Sequence, residues 1–346
     1  MPTVSVVLPV YKAERFLGQC LDSLWTQTYK DFEVLVVEDP SSDGTAAVLK
    51  KQKDPRLRVI RNSTRKGLVF CMNQGIAEAK GKYIARQDSD DVSLPERFQV
   101  QLDFLKANPC VGMLGTAYKL VDKNGRTVLN GQPETHAHIL QEILPKYNQF
   151  AHGSLMMPKD MLQAIGCYRD IKYAEDYDMF MRMSERFPVI NLPQPLYMWR
   201  FSLTSTSVSK VEPMIMATPA LQELSRQRKQ FGKDALDHGL PLPNVDPLPR
   251  QFIRESFMWY AVLAYRCGEW EFAFNLLDKA ITWDMTTEAM TEWILYQMGW
   301  LLFFEGQERT LQFANYAHTR FGGSFPSGAQ LWQRAYSKLM GNTNNV

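Results

Sequence analysis

The sequence predicts an α/β protein with a mainly parallel central sheet followed by an all-α C-terminal region, and three observations predict it. Over the first two hundred residues, short β-rich apolar runs alternate with amphipathic stretches of helical period, the pattern of buried parallel strands joined by crossover helices. Two of the apolar runs end in carboxylates, at Glu38-Asp39 and at Asp88 to Asp91. Ligands on such sheets bind beyond the carboxyl ends of the strands. After Ser209 the composition turns helical, aromatic and Trp-rich.

The elements follow in order. Val4 to Val10 is the first strand, and 13–27 reads as a helix with Phe16, Leu17, Cys20, Leu21 and Leu24 on one face. Strands follow at 32–37, 57–60 and 83–87, with helices near 45–53 and 67–79 between them. Short connections in this order imply right-handed crossovers and one sheet. The rim then gathers Pro9 to Tyr11, Glu38-Asp39 and Asp88 to Asp91. Segment 111–200 is less regular: a hairpin around Asp122 to Gly125, whose Asn124-Gly125 is a turn signal, then 150–157 and a helix from about Ala174. Tyr177, Phe180 and Met181 read as core packing. Beyond 212 the chain is helical, interrupted by the connector 239–249 with four prolines. Residues 260–281 form one helix-turn-helix unit with Gly268 at its turn, similar to a single tetratricopeptide repeat. The domains expected are therefore 1–210 and 211–346.

With 346 residues, 45% hydrophobic and 22% charged, the chain is long enough for two globular domains. A net charge of +2 gives no reason to expect nucleic acid as a partner. Five cysteines, odd in number and without zinc-like spacing, read as reduced thiols. The chain enters its first strand without a basic segment and cleavage site, and no apolar run has bilayer-crossing length. A cytoplasmic location is expected, either soluble or peripheral on the inner face of the membrane.

The stretch 82–91 carries the sharpest chemical signal, because an apolar run ends in three carboxylates. In extended backbone Asp88 and Asp90 point to one side and can approach one divalent ion and the diphosphate it holds. The plainer alternative is a solvated loop leading to a helix, with Ser93 as N-cap and Pro95 in the first turn. Strand one is followed by Tyr11-Lys-Ala-Glu14 rather than a glycine-rich turn, so neither a dinucleotide fingerprint nor a P-loop is present. A Gly-x-Ser-x-Gly elbow and a zinc-binding His pair are also absent. Hydride transfer, kinase-like phosphoryl transfer and serine hydrolysis all lose ground.

Four segments together, 4–12, 38–45, 85–97 and 174–178, make residues 3 to 208 resemble an inverting family 2 glycosyltransferase of the GT-A fold. The C-terminal third lies outside the resemblance. It implies transfer of one sugar from a nucleotide donor, UDP-hexose or UDP-N-acetylhexosamine, to a saccharide or lipid-linked saccharide hydroxyl, with Mn²⁺ or Mg²⁺ as cofactor, in cell-surface polysaccharide or glycan assembly. By the same resemblance Pro9, Val10, Tyr11 and Glu14 line the nucleobase and ribose pocket, and Asp39 accepts a hydrogen bond from uracil. Arg65, Lys66 and Gly67 approach the nucleotide. Asp88, with Ser89, contacts ribose or sugar, Asp90 binds the metal, and Arg86 sits beside the donor. Asp176 is the implied base, held ionised by the helix dipole, with Glu175 or Asp178 as alternatives; spacing alone leaves Asp176 equally a helix cap. His152 falls near the acceptor in the resemblance, although a lone His among apolar residues is often a core residue. Arg200 is placed to pair with phosphate, while Ser202 stands where the family commonly has His, which puts a further protein metal ligand in doubt.

Other readings stay open at this point. A sugar nucleotidyltransferase should carry a glycine-rich basic loop after strand one, which this chain lacks. A non-catalytic scaffold would use the C-terminal helices to bind a protein partner or to self-associate, but Asp39, Asp88, Asp90 and Asp176 are intact. The basic run 226–233 is a solvated helix end or a dock for anionic lipid. Trp259, Trp270, Trp293 and Trp300 fall at helical spacing, which favours core packing over stacking on a sugar.

Overall fold

The structure, a computed structural model, describes residues 1–283, 286–304, 307–321 and 326–341, with backbone alone at 287, 299–304 and 336–341. The chain divides into two compact units, Met1–Pro247 and Leu248–Val346.

The first unit opens with β1 (Val4–Val10), α1 (Leu17–Trp25), β2 (Phe32–Glu38), α2 (Thr45–Lys51), β3 (Leu57–Arg61), α3 (Leu68–Glu78) and β4 (Tyr83–Arg86). Next come β5 (Val92–Ser93), α4 (Arg97–Ala107), β6 (Met113–Val121), β7 (Thr127–Gly131) and α5 (Ala137–Ile143). The unit closes with β8 (Met156–Pro158), α6 (Lys159–Ala164), α7 (Glu175–Arg186), β9 (Val189–Arg200), α8 (Thr206–Ser209) and α9 (Val211–Phe231). Among the described residues the strands form one nine-stranded sheet, ordered β3-β2-β1-β4-β8-β6-β9-β5, with β7 beside β6.

The half made of β3, β2, β1 and β4 is parallel throughout, as the alternation of elements predicts. Its strands alternate between two cores with the period of a pleated chain. Val4, Val6, Leu8 and Val10 face α1 and α4, among Leu17, Leu21, Leu24, Phe98 and Leu102. Val7, Leu35 and Ile84 face the opposite core with Met72, Ile76, Phe180 and Met183. Apolar residues on both faces are what a sheet covered on both sides requires. The other half is mixed: β8 runs antiparallel to β4 and β6, while β6 and β9 are parallel. The 122–125 hairpin joins β6 and β7 as expected.

Register places the site. Val10 pairs with Glu38 and Val7 with Arg86, so Asp88, two residues past Arg86, reaches the level of Pro9. The carboxyl ends of β1, β2 and β4 thus form one rim.

Two expectations are corrected. Ser93 does not cap a helix: it pairs with Tyr197 in β5 and its hydroxyl donates to Gln87 Oε1 at 2.6 Å, so α4 starts only at Arg97. The Asp88–Asp91 stretch is a turn closed by Asp91 N–H on the Asp88 carbonyl at 3.3 Å, not an extended run. The compact division falls after Pro247, and α9 sends Leu221 and Leu224 into the core that contains Phe180.

The second unit contains α10 (Arg250–Arg266), α11 (Trp270–Thr282), α12 (Thr287–Phe304), α13 (Gln307–Phe321) and α14 (Gly328–Gly341). The first two form a helix pair joined at Gly268, whose φ of +80 favours glycine. Its core is aromatic, with Tyr265 and Phe274 at 4.4 and 5.5 Å from the Phe313 ring. Trp270 and Trp293 stack edgewise in that core and Trp259 is half exposed; the Trp300 side chain lies outside the described residues.

Candidate active site

On the β1–β2 side, Asp39 sits immediately after β2, where its backbone N–H donates to the Val10 carbonyl at 3.0 Å. Its carboxylate accepts from Asn62 Nδ2 at 2.9 Å and from the Lys66 and Gly67 amides at 2.9 and 2.7 Å. Burial alone would push this carboxyl up, yet those donors hold it below the usual range. Gly67 can point its N–H inward because its φ is +90. Arg65 lies over the Tyr11 ring at 4.2 Å. Two of the expected pocket residues are engaged elsewhere. The Val10 side chain is buried in the core, and the exposed Glu14 accepts from the Gly44 amide at 2.9 Å, at the start of α2. Pro9 stands half-buried on the rim, and the Lys66 ammonium lies over Phe70 at 5.6 Å.

The acidic turn after β4 is built on buried polar residues from several elements. Arg97, fully buried, donates to Gln87 Oε1 at 3.1 Å, to the Ser93 hydroxyl at 2.8 Å, and to the Arg86 and Leu155 carbonyls at 2.8 and 3.1 Å. Gln87 in turn donates to the Asp88 and Asp91 carbonyls. Asp91 is spent on structure, since its carboxylate accepts from the Tyr197 hydroxyl and the Arg200 amide, both at 2.8 Å. Arg200 donates to the Asp90 carbonyl at 2.9 Å, to the Asp122 carbonyl at 3.1 Å and to Gln19 Oε1 at 3.1 Å, and lies over the Phe16 ring. It clamps the turn from beneath.

Asp88, Ser89 and Asp90 are left half-buried at the surface of this platform. Asp88 pairs with Arg86 at 2.7 Å. The Asp90 carboxyl is pushed up to about 6, first by burial and then by the charge of Asp88. A buried carboxyl pushed up beside a second carboxylate is a pair whose oxygens fit a hard divalent ion. Among the described residues no group of three His, Cys, Asp or Glu side chains forms a metal cage, so most ligands would come from a bound phosphate chain and water, as Mg²⁺ commonly accepts.

Across the site, α7 begins with Glu175 and Asp176. Both carboxyls are raised, Glu175 to about 7 by burial and then the Asp176 charge, and Asp176 to about 6 by burial ahead of the Asp88 charge. The Tyr177 amide donates to Asp176 at 2.7 Å, but desolvation outweighs that donor, so the end of the helix does not lower this carboxyl. The buried Asp178 carboxylate, two residues on, is taken by Arg169 and Arg182 at 3.0 and 2.8 Å. Arg86 is fully buried, carries a positive charge felt by both Asp88 and Asp176, and has an Nε without a partner. His152 bonds the Tyr168 hydroxyl at 2.7 Å and is held neutral by burial and by the charge of Arg86.

Sequence reasoning missed Gln87, Arg97, Gly153 and Tyr197. A methyl at Gly153 would overlap the Tyr197 hydroxyl and come within 2.8 Å of Asp88 Oδ2, so the 152–154 turn closes directly on the acidic platform. Only the isolated His-Gly-Ser hinted at it.

Residues 5–166 match the sequence profile described as Glycosyl transferase family 2. The chain is 33% identical over 206 residues to a protein described as putative glycosyltransferase EpsE from Bacillus subtilis, covering 57% of this chain and 72% of that one. It is 31% identical over 234 residues to the O-antigen biosynthesis glycosyltransferase WbnJ of Escherichia coli, covering 65% and 90%. Over 233 residues it is 31% identical to the amylovoran biosynthesis glycosyltransferase AmsE of Erwinia amylovora, covering 66% and 87%. Among solved structures, S. aureus TarS 1-349 superposes with a TM-score of 0.54 at 18% identity, covering 99% of this chain and 92% of that one. That likeness shows the fold, a GT-A-like sheet followed by a helical region.

Proposed function

This chain belongs to glycosyl transferase family 2, and from that membership we propose that it is a metal-dependent, inverting hexosyltransferase. It moves one sugar from a UDP-linked donor to a saccharide hydroxyl in the assembly of a cell-surface polysaccharide. The carrying observation is the approach of two acidic pairs, Asp88 with Asp90 and Glu175 with Asp176, close enough that Asp176 feels the charge of Asp88 and that buried Arg86 acts on both. The relatives' printed roles in O-antigen and amylovoran biosynthesis support the polysaccharide setting.

Asp39, kept ionised by its three donors, accepts an N–H of the nucleobase, while Tyr11 and the Arg65 above it flank the ring. Asp90, with Asp88 beside it, would hold a divalent cation, which neutralises the negative charge of the departing diphosphate. Asp176 takes the proton of the acceptor hydroxyl as its oxygen bonds to the anomeric carbon and the bond to phosphate breaks. A carboxyl raised to about 6 is a stronger base than an ordinary one and is still mostly ionised at neutral pH. Arg86 keeps the two acidic groups from repelling each other.

The acceptor can lie at a membrane surface. Lys229, Phe231 and Lys233 are exposed at the end of α9, and no helix among the described residues is long and apolar enough to cross a membrane. Flotation with anionic liposomes tests this; absence of binding at low salt removes it.

The experiment that tests the reading is thermal stabilisation by UDP, GDP, TDP and CMP, each with and without Mn²⁺. Stabilisation by UDP that needs Mn²⁺ is expected. No shift with any nucleotide would overturn the donor assignment.

A further inference from the structure

The segment 165–174 that delivers Glu175 and Asp176 is held by a network of buried ions that the chemistry above does not use. Arg169 donates to both oxygens of Asp178, and through Nη1 to both oxygens of Asp234 at 3.0 and 2.9 Å. Asp178 also takes Arg182 Nε at 2.8 Å, and the rest of the Arg182 guanidinium donates to the carbonyls of Ile165 and Cys167. Asp234 is fully buried and is paired a second time with Arg228, which itself chelates Glu185 of α7 at 2.7 and 2.9 Å. Its Oδ1 further accepts the Leu236 and Asp237 amides, so the turn after α9 is folded around this one carboxylate.

The segment needs holding. Cys167 and Tyr173 have φ of +55 and +68, left-handed backbone that side chains other than glycine adopt only when their surroundings impose it. Between them Tyr168 is tied by its main chain to Asn73, at 3.1 and 2.9 Å, and by its hydroxyl to His152. Asp178 and Arg182 anchor the network within the first two turns of α7, directly behind Asp176.

We propose that Asp234, acting through Arg169, is a positioning residue for the acceptor-side carboxylates: the ion pair clamps segment 165–174 in its left-handed turns and so fixes the end of α7 that presents Glu175 and Asp176. Asp234 lies beyond the matched residues 5–166, so the α9 extension is part of the active-site scaffold and not an appendage. The inference rests on the reading of Asp176 as base.

The test uses the full chain with Asp234→Asn, which keeps an oxygen for the Leu236 and Asp237 amides but loses the charge, and Arg169→Lys, which keeps the charge but loses the planar fork. UDP release from UDP-glucose and UDP-N-acetylglucosamine is followed with Mn²⁺ and a panel of p-nitrophenyl glycosides. NMR of isotope-labelled aspartate carboxyls follows Asp176 without any substrate. Both variants are expected to keep UDP binding and donor KM, to lose roughly 10- to 100-fold in kcat per UDP-binding site, and to move the Asp176 titration to lower pH as the first turn of α7 becomes hydrated. A lower melting temperature with kcat per site and the Asp176 titration unchanged would overturn the proposal, leaving the network a purely structural one. If Asp234→Asn fails to fold, Arg169→Lys carries the same two readouts. Transfer retained by Asp176→Asn, a separate control, would overturn the base assignment instead.

Discussion

Asp176 and Glu175 share one end of α7, and both are protonated more readily in the folded chain than in the unfolded one. Transfer needs the base ionised, so kcat should fall as pH drops through about 6. Stability runs the other way. Carboxyls whose pKa is raised on folding stabilise most below their unfolded values, near 4, and that contribution is lost as pH rises through the folded values. The melting temperature of the parent should therefore fall more steeply between about pH 5 and 8 than that of Glu175→Gln; parallel curves would refute the burial of the pair. Asp90 makes a second prediction at this scale. Asp90→Asn removes the carboxylate expected to meet the cation and also relieves its repulsion with Asp88. Its melting temperature without ligand should equal or exceed the parent's, whereas the Mn²⁺-dependent part of UDP stabilisation should vanish. Persistence of that part would move the metal to other residues.

At the scale of elements, the acidic turn after β4 is a small platform whose supports come from α4, β9 and the 152–154 turn. Each supplies a buried group, Arg97, Tyr197 and Gly153, that fixes where Asp88 can be. Gly153→Ala puts a methyl where the Tyr197 hydroxyl lies and within 2.8 Å of Asp88 Oδ2. Tyr197 is fully buried, so it cannot swing into solvent, and overpacking of this kind costs about 1–3 kcal/mol. Gly153→Ala should lower the melting temperature and weaken Mn²⁺-dependent UDP binding together. A thermally weakened variant with UDP affinity unchanged would show that the turn does not set the Asp88 position. The same platform occupies Arg200. The family resemblance implies a phosphate ligand there, yet three of its donors are engaged with Asp90, Asp122 and Gln19.

At the scale of the molecule, the two units join through residues 239–249, almost all of them exposed and four of them proline. An exposed connector outside helices and strands is where a protease cuts first. Limited proteolysis should cleave within 239–249 and leave a fragment near 1–247 that still responds to UDP, because every donor-side residue lies in it. Loss of the response on cleavage would place part of the donor site in the C-terminal helices.

The strands and helices of the sheet's parallel half were legible in the sequence because a strand writes its period locally: Val4, Val6, Leu8 and Val10 declare one buried face within seven residues. The rim was legible as well, since parallel register brings strand ends level whatever the loops between them do. The site's finer assignments had no local signature. The backbone turn at Asp88–Asp91, the diversion of Glu14 to Gly44 and the capture of Asp178 by Arg169 depend on partners fixed only by folding. Arg200 meets Asp91 across 109 positions of chain, and Arg169 meets Asp234 across 65. By itself, then, the sequence determined which residues could carry the chemistry and on which edge of the sheet they stand. Tertiary structure decided which carboxylates stay free and which are spent on structure, because ionisation and hydrogen-bond partners are set by burial and by long-range neighbours that no local pattern records.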